Sequence, residues 1–255
     1  MHRLALPQVT VCAVTSVNVH ATVKALQHCL DRVIFAECLL FTDSASHESD
    51  ERIRTIPIAR ISSSHAYSDF ILTRLADFVA SSHILIVQWD GFVLDPTQWD
   101  EVFLGFDYVG APWPQFHDGH DVGNGGFSLR TRRLMDACRD PNFRSGHPED
   151  LAICRVNRRM LEKDHGIRFA DRATAERFSF EREAPAAPTF GFHGIFNLIP
   201  VLGVEAFWGL YQSLDDRSTA RVDYPTLMRQ LGDGRCPARR RCELTKDWVS
   251  GLFAR

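Results

Sequence analysis

The stretch "HILIVQWDGFVLD", residues 83–95, decides how the rest of the chain is read. Four consecutive aliphatic residues, Ile84 to Val87, describe a strand buried on both faces, as in a parallel sheet covered by helices. The run then stops on Gln88-Trp89-Asp90-Gly91. A carboxylate at the end of such a strand is costly unless it is solvated, paired or bound to a cation. The alternative is an ordinary turn, with Asp90 accepting backbone N–H groups ahead of Gly91.

Working outward, strand-like and helix-like segments alternate. "QVTVCAV" (8–14) is rich in β-branched residues and predicts a strand. Residues 18–30 carry apolar side chains at helical spacing through Val19, Val23, Leu26 and Leu30. Residues 32–42 and 53–61 predict a second and a weaker third strand. Residues 68–82 predict a helix capped by Ser68. This order predicts an α/β fold: a mostly parallel central sheet with helices on both faces and a small second sheet. Ligands of such sheets gather outside the carboxyl ends of the strands, where Asp90 would lie.

Further on, "VGNGGFSLR" (122–130) places three glycines within four positions. It lacks both the Gly-Lys-Ser/Thr of a P-loop and dinucleotide-binding spacing, so alone it reads as a glycine-rich turn entering a strand. Residues 148–166 predict one helix with Glu149 and Asp150 in its first turn and Gly166 at its end. "IRFA" and "ERFSFE" predict short strands. His193 lies among aromatics and glycines in "TFGFHGIFN". A rival cluster, His117, Asp118, His120 and Asp121 in "FHDGHD", could bind a metal and serve a hydrolase.

Composition narrows the class. The 255 residues are 45% hydrophobic and 24% charged, ordinary values for a globular protein. A formal net charge of −3 argues against nucleic acid as a partner. Seven cysteines without a Cys-x-x-Cys pair suggest neither a zinc ribbon nor a disulfide framework. The opening residues hold too short an apolar run for a signal peptide, and "IFNLIPVLGVEAFWGLY" (195–211) is interrupted by Asn197, Pro200 and Glu205. The expected location is cytoplasmic. The tail joins Arg235, Arg239, Arg240 and Arg241 to Trp248, Val249, Leu252 and Phe253. Such an amphipathic end either packs on the body or makes a peripheral contact with the inner face of a membrane.

Taken together, "QWDG", "FDYVGAPW", "VGNGGFSLR", "PEDLAICR", "ERFSFE" and "FGFHG" resemble the landmarks of a family of bacterial and fungal glycosyltransferase-A-type domains, long catalogued as a domain of unknown function. The resemblance spans roughly residues 80–200, and "YVGAPW" and "VGNGGFSLR" are its most specific elements. It implies a nucleotide-binding half (1–95) and an acceptor and catalytic half (96–200); the helical basic tail (201–255) matches no landmark, and with no composition break the chain is read as one domain over residues 1–255. The resemblance implies transfer of a sugar from a nucleotide-diphosphate sugar to a glycan or lipid-linked acceptor, as in surface polysaccharide synthesis.

The resemblance also assigns roles. Asp90 and His193 would hold a divalent cation, Mn²⁺ or Mg²⁺. The family's two acids separated by one residue here read Gln88-Trp89-Asp90, so one acid is replaced by an amide. Asp150 would be the base of an inverting reaction, with Glu149 as its alternate. Asn124, Gly125 and Gly126 would let the backbone approach sugar or acceptor, and Arg130 would pair with phosphate or with a nearby acid. Thr15, Ser16 and Asp43, at the ends of the first two strands, would meet the nucleoside and ribose. A non-catalytic domain that binds a nucleotide or glycan is the alternative.

Overall fold

A computed structural model of the chain describes residues 3–44 and 50–253, the side chains of Leu252 and Phe253 lying outside the described residues. The chain forms two compact units, Met1–His193 and Gly194–Arg255.

Unit 1 is built on a six-stranded sheet in the order β3-β2-β1-β4-β6-β5. Its strands are β1 (Leu4–Val14), β2 (Val33–Thr42), β3 (Arg54–Pro57), β4 (His83–Val87), β5 (Tyr108–Val109) and β6 (Phe127–Thr131). The pairs β1–β2, β2–β3 and β1–β4 are parallel, while β6 runs antiparallel to both β4 and β5. The fold is therefore mixed α/β with a mostly parallel central sheet, as expected. All five residues of β4 are buried, and each buried aliphatic side chain stabilises the fold by about 1.5–3 kcal/mol.

Helix α1 (Val19–Arg32) buries Val23, Leu26, Cys29 and Leu30. Alternate residues of the sheet, among them Cys12, Leu39, Phe41, Ile84 and Ile86, pack with Ile71 and Leu75 in one core cluster. Ile71 belongs to α2 (Ser64–Thr73), whose cap is Ser63: its hydroxyl accepts Ala66 N–H at 3.1 Å. The expected cap, Ser68, instead lies buried inside the helix, with its hydroxyl 2.9 Å from His147 Nδ1. A short 3-10 turn over Leu75–Phe78 replaces the rest of the expected helix.

A second core gathers Tyr108, Trp113, Leu134, Ile153, Leu161 and Phe169 beneath α3 (Arg132–Ala137) and the segment expected to be one helix. That segment breaks into α4 (Glu149–Leu151), a π-helical turn (Ala152–Val156) and α5 (Arg158–His165), which Gly166 ends in the left-handed conformation. Single π turns of this kind often occur at functional sites. "IRFA" contributes only a bridge from Phe169 to Tyr108. "ERFSFE" is half helix, because α6 (Arg172–Phe178) runs into it before β7 (Ser179–Phe180). β7 pairs in parallel with β8 (Gly191–Phe192) to make the small second sheet.

Unit 2 comprises α7 (Leu198–Leu202), α8 (Val204–Ser213), α9 (Tyr224–Gln230) and α10 (Pro237–Phe253). Arg240 of the basic tail pairs with Glu205 and lies over Trp208; Trp248 stacks on Tyr224 at 5.0 Å. Among the described residues no helix is long and apolar enough to cross a membrane.

Candidate active site

The parallel strands β1, β2, β3 and β4 deliver their carboxyl ends to one edge of the sheet. Because β6 is antiparallel to β4, with Val87 opposite Phe127, the glycine turn at 123–126 meets that same edge. Gln88 N–H donates to Gly126 O at 3.0 Å, which joins the two.

Asp90 does not act as a turn cap. Gly91 N–H closes that turn on Gln88 O at 3.1 Å. The Asp90 side chain is buried, and its Oδ1 has no hydrogen-bond partner. Oδ1 lies 3.2 Å from His193 Nε2, at ion-pair distance but off the hydrogen-bonding direction. That direction belongs to Gln88, whose Oε1 is 3.1 Å from the same Nε2 and whose Nε2 donates to Tyr67 OH at 3.2 Å. On its other side the imidazole places Nδ1 3.2 Å from Glu181 Oε1. Burial by itself disfavours a charged ring, yet the Asp90 and Glu181 carboxylates overcome it and raise the His193 pKa to about 10. The site is thus built to hold positive charge.

Glu149 and Asp150 are adjacent but differently placed. Glu149 is buried and accepts a 2.8 Å hydrogen bond from Arg130, which is 0% exposed and lies over the Tyr108 ring. This interior ion pair corrects the expectation that Glu149 is an alternate base, and of the two expected partners of Arg130 it is the nearby acid, not phosphate, that the structure supplies. Asp150 remains partly exposed. Its Oδ2 accepts Gly125 N–H at 2.9 Å and its Oδ1 accepts Leu151 N–H at 2.8 Å. Burial, reinforced by the Glu149 charge, pushes its pKa up to about 6 against the pull of the two N–H donors and Arg130.

The glycine turn is also different from the expected sugar cradle. Both its N–H donors are already engaged, Gly125 by Asp150 and Gly126 by Asn124 Oδ1 at 2.9 Å. A methyl group on Gly125 would overlap the Glu149 carboxylate, and one on Gly126 would overlap the His193 ring. The glycines make room for the protein's own side chains. Asn124, with φ of 63°, holds the turn; its Nδ2 is buried without a partner.

Thr15, Ser16 and Asp43 lie at the same sheet edge, but each has local partners. Ser16 Oγ accepts Ile61 N–H at 2.8 Å, Thr15 bonds within its own turn to Val17, and Asp43 is 3.7 Å from Arg60. No hydrogen bond joins them to the Asp90 cluster among the described residues. In the rival loop, Asp118 pairs with Arg155 at 2.7 Å and Asp121 with Arg172 at 3.0 Å, so its acids are neutralised by arginine. Among the described residues no group of three or more His, Cys, Asp and Glu is arranged to hold a metal. Glu181 and Tyr67 were not foreseen from sequence. Tyr67 carries no sequence signal, whereas Glu181 does: "FSFE" (178–181) echoes "FGFH" (190–193).

Fold and cluster together define an α/β protein with a carboxylate–imidazole site at the carboxyl edge of its sheet. The profile of one family, described as "Protein of unknown function (DUF5672)", matches residues 50–193, more than half of the chain, and the chain belongs to that family. No curated protein matches it. Among solved structures, the apo-form glycosyltransferase GlyE of Streptococcus pneumoniae TIGR4 is similar at 15% identity and a TM-score of 0.41, over 75% of this chain and 54% of that one. A second GlyE structure is similar at 16% identity and a TM-score of 0.38, over 63% and 44%. The chain spans about half the length of these structures.

Proposed function

We propose that this protein is an inverting glycosyltransferase, moving a sugar from a nucleotide-diphosphate sugar to a hydroxyl of a glycan or lipid-linked acceptor. The observation that carries this reading is the convergence of Gln88, Asp90 and His193 at the sheet edge, with Asp150 held across the Gly125–Gly126 turn. The motif resemblance supplies the reaction class.

Asp150 takes the proton of the attacking hydroxyl. Its partial exposure lets an acceptor reach it, and a pKa near 6 leaves it ionised yet more basic than an ordinary carboxylate at neutral pH. Gly125 N–H and Leu151 N–H fix its orientation. Asp90 and His193 would hold a divalent cation, Mn²⁺ or Mg²⁺, with the Gln88 amide oxygen as a neutral third donor. The residues present fit a cation in place of a proton: Asp90 Oδ1 is a buried carboxylate oxygen without a hydrogen bond, 3.2 Å from His193 Nε2, and the carboxylates that favour a proton on the ring would favour a metal ion there once the imidazole is neutral. Such a cation supplies Lewis-acid stabilisation of the charge that develops on the leaving diphosphate. Thr15, Ser16 and Asp43 border the same edge, where the nucleoside would lie.

A thermal-shift screen of nucleoside diphosphates and nucleotide sugars, with and without Mn²⁺, tests the reading. A ligand at 100 times its Kd stabilises by about 2.7 kcal/mol, a rise in Tm of roughly 5–10 °C. Mn²⁺-dependent stabilisation by a nucleoside diphosphate in wild type, lost in Asp90→Ala, is the expected result. No response to any of these ligands would remove the donor assignment. The amide at position 88 favours the second reading, a non-catalytic binding domain. Release of free nucleoside diphosphate from a bound donor distinguishes the two, since a mere binder leaves the donor intact.

A further inference from the structure

The small second sheet packs its aromatic residues against the main body, Phe178 and Phe190 beside Phe127 of β6 and Phe192 beside Phe92, and it ends on two polar residues. β7 and β8 pair in parallel, with Ser179 opposite Gly191 and Phe180 opposite Phe192. His193 N–H extends the ladder by donating to Phe180 O at 3.0 Å. The next residues in register are Glu181 and His193. Each strand, with the residue before it, therefore reads Phe-x-Phe followed by a polar group, and the register sets those groups side by side. The aromatic residues anchor the arrangement: Phe178 lies beside Phe190 and Phe180 beside Phe192, at centroid distances of 5.8 and 5.9 Å.

The consequence is a fixed imidazole. Glu181 Oε1 lies 3.2 Å from Nδ1, and both side chains are 14% exposed. The opposite nitrogen, Nε2, then faces Gln88 Oε1 and Asp90 Oδ1. Gly126 presses on the ring from a further side, because any Cβ there would overlap it. Imidazoles that bind metals commonly donate their second N–H to a carboxylate, which sets the ring's tautomer and orientation.

We propose that Glu181 is the positioning residue of this site, locking the His193 ring so that Nε2 is directed at Asp90 and Gln88. This rests on the proposed cation role of Asp90 and His193, and it adds a residue that touches neither cation nor substrate. The echo of "FSFE" in "FGFH" is its sequence signature, and the register of the two-stranded sheet is its structural basis.

Two readouts on the full chain test it. The first is the ¹⁵N–¹H spectrum of the His193 ring, assigned with His193→Gln. Wild type should show a downfield Nδ1–H signal protected from exchange. Glu181→Ala should lose that signal, and Glu181→Gln, which keeps one acceptor oxygen at the same reach, should retain it shifted upfield. The second is Mn²⁺ affinity followed by electron paramagnetic resonance, expected to weaken about 10-fold in Glu181→Ala and less in Glu181→Gln. Either readout unchanged in Glu181→Ala overturns the proposal; should that variant fail to fold, an unshifted signal or an unweakened affinity in Glu181→Gln overturns it instead. A wild type that binds no Mn²⁺ ends the cation reading of the site, and the ring signal then decides the role of Glu181 alone.

Discussion

Glu149 neutralises Arg130 in the interior, while Asp150, the next residue, is half-buried with its two oxygens on the Gly125 and Leu151 N–H groups. Different consequences follow for the two positions. Replacing Glu149 by Gln leaves the Arg130 guanidinium buried without a counter-charge, at a cost of about 3–5 kcal/mol. Urea unfolding should show this loss. Joint replacement by Glu149→Leu and Arg130→Met should restore most of it, since the pair's own desolvation cost disappears with it. Asp150→Asn should instead lower kcat by about 10²–10⁴-fold. In the parent, turnover should rise with pH through about 6 as Asp150 ionises. Its folded-state pKa lies above the ordinary value of 3.8, so its contribution to stability is complete below that value and is lost as pH rises through about 6. The Tm of Asp150→Asn relative to the parent should therefore improve between pH 4 and pH 8. Allowing for partial exposure, the change is about 1 kcal/mol, or roughly 2–4 °C. A constant difference across that range would show that Asp150 does not carry the shift.

At the scale of elements, the glycine turn holds the site together. It connects β4 through Gln88 N–H, α4 through Asp150 and the second sheet through the His193 ring. Gly126→Ala forces a methyl group against that ring, and such overpacking costs about 1–3 kcal/mol. We expect Mn²⁺ affinity to fall further in this variant than in Gly105→Ala, where a Cβ meets nothing within contact distance. Calorimetry of the two variants makes the comparison; equal affinities would separate the turn from the proposed cation site. The alternating strands and helices of the first half were readable because buried aliphatic runs and helical spacing are local signals. Boundaries were less so. α2 begins at Ser64 because Ser63 caps it, and the continuous apolar spacing beyond it gives no sign that Leu75–Phe78 tightens into a 3-10 turn. Likewise, the long helix read across 148–166 divides at a π turn, a break that periodicity does not record.

For the molecule as a whole, parallel pairing and one antiparallel strand gather residues from distant parts of the chain. Asp90 follows β4, Asp150 lies in α4, and His193 follows β8. The sequence by itself determined the α/β class, the buried strand ending at Asp90 and the carboxyl edge as the place for chemistry, since hydrophobic pattern and strand length act locally. Asp90 and His193 were paired by the family resemblance, and the tertiary structure brings them to 3.2 Å; only it decided that Glu149 belongs to Arg130 and that the glycines serve neighbouring side chains. It also supplied Glu181 at Nδ1. Those outcomes depend on desolvation and on side-chain atoms meeting within about 3 Å, quantities set by packing between segments and invisible in the order of residues along one of them.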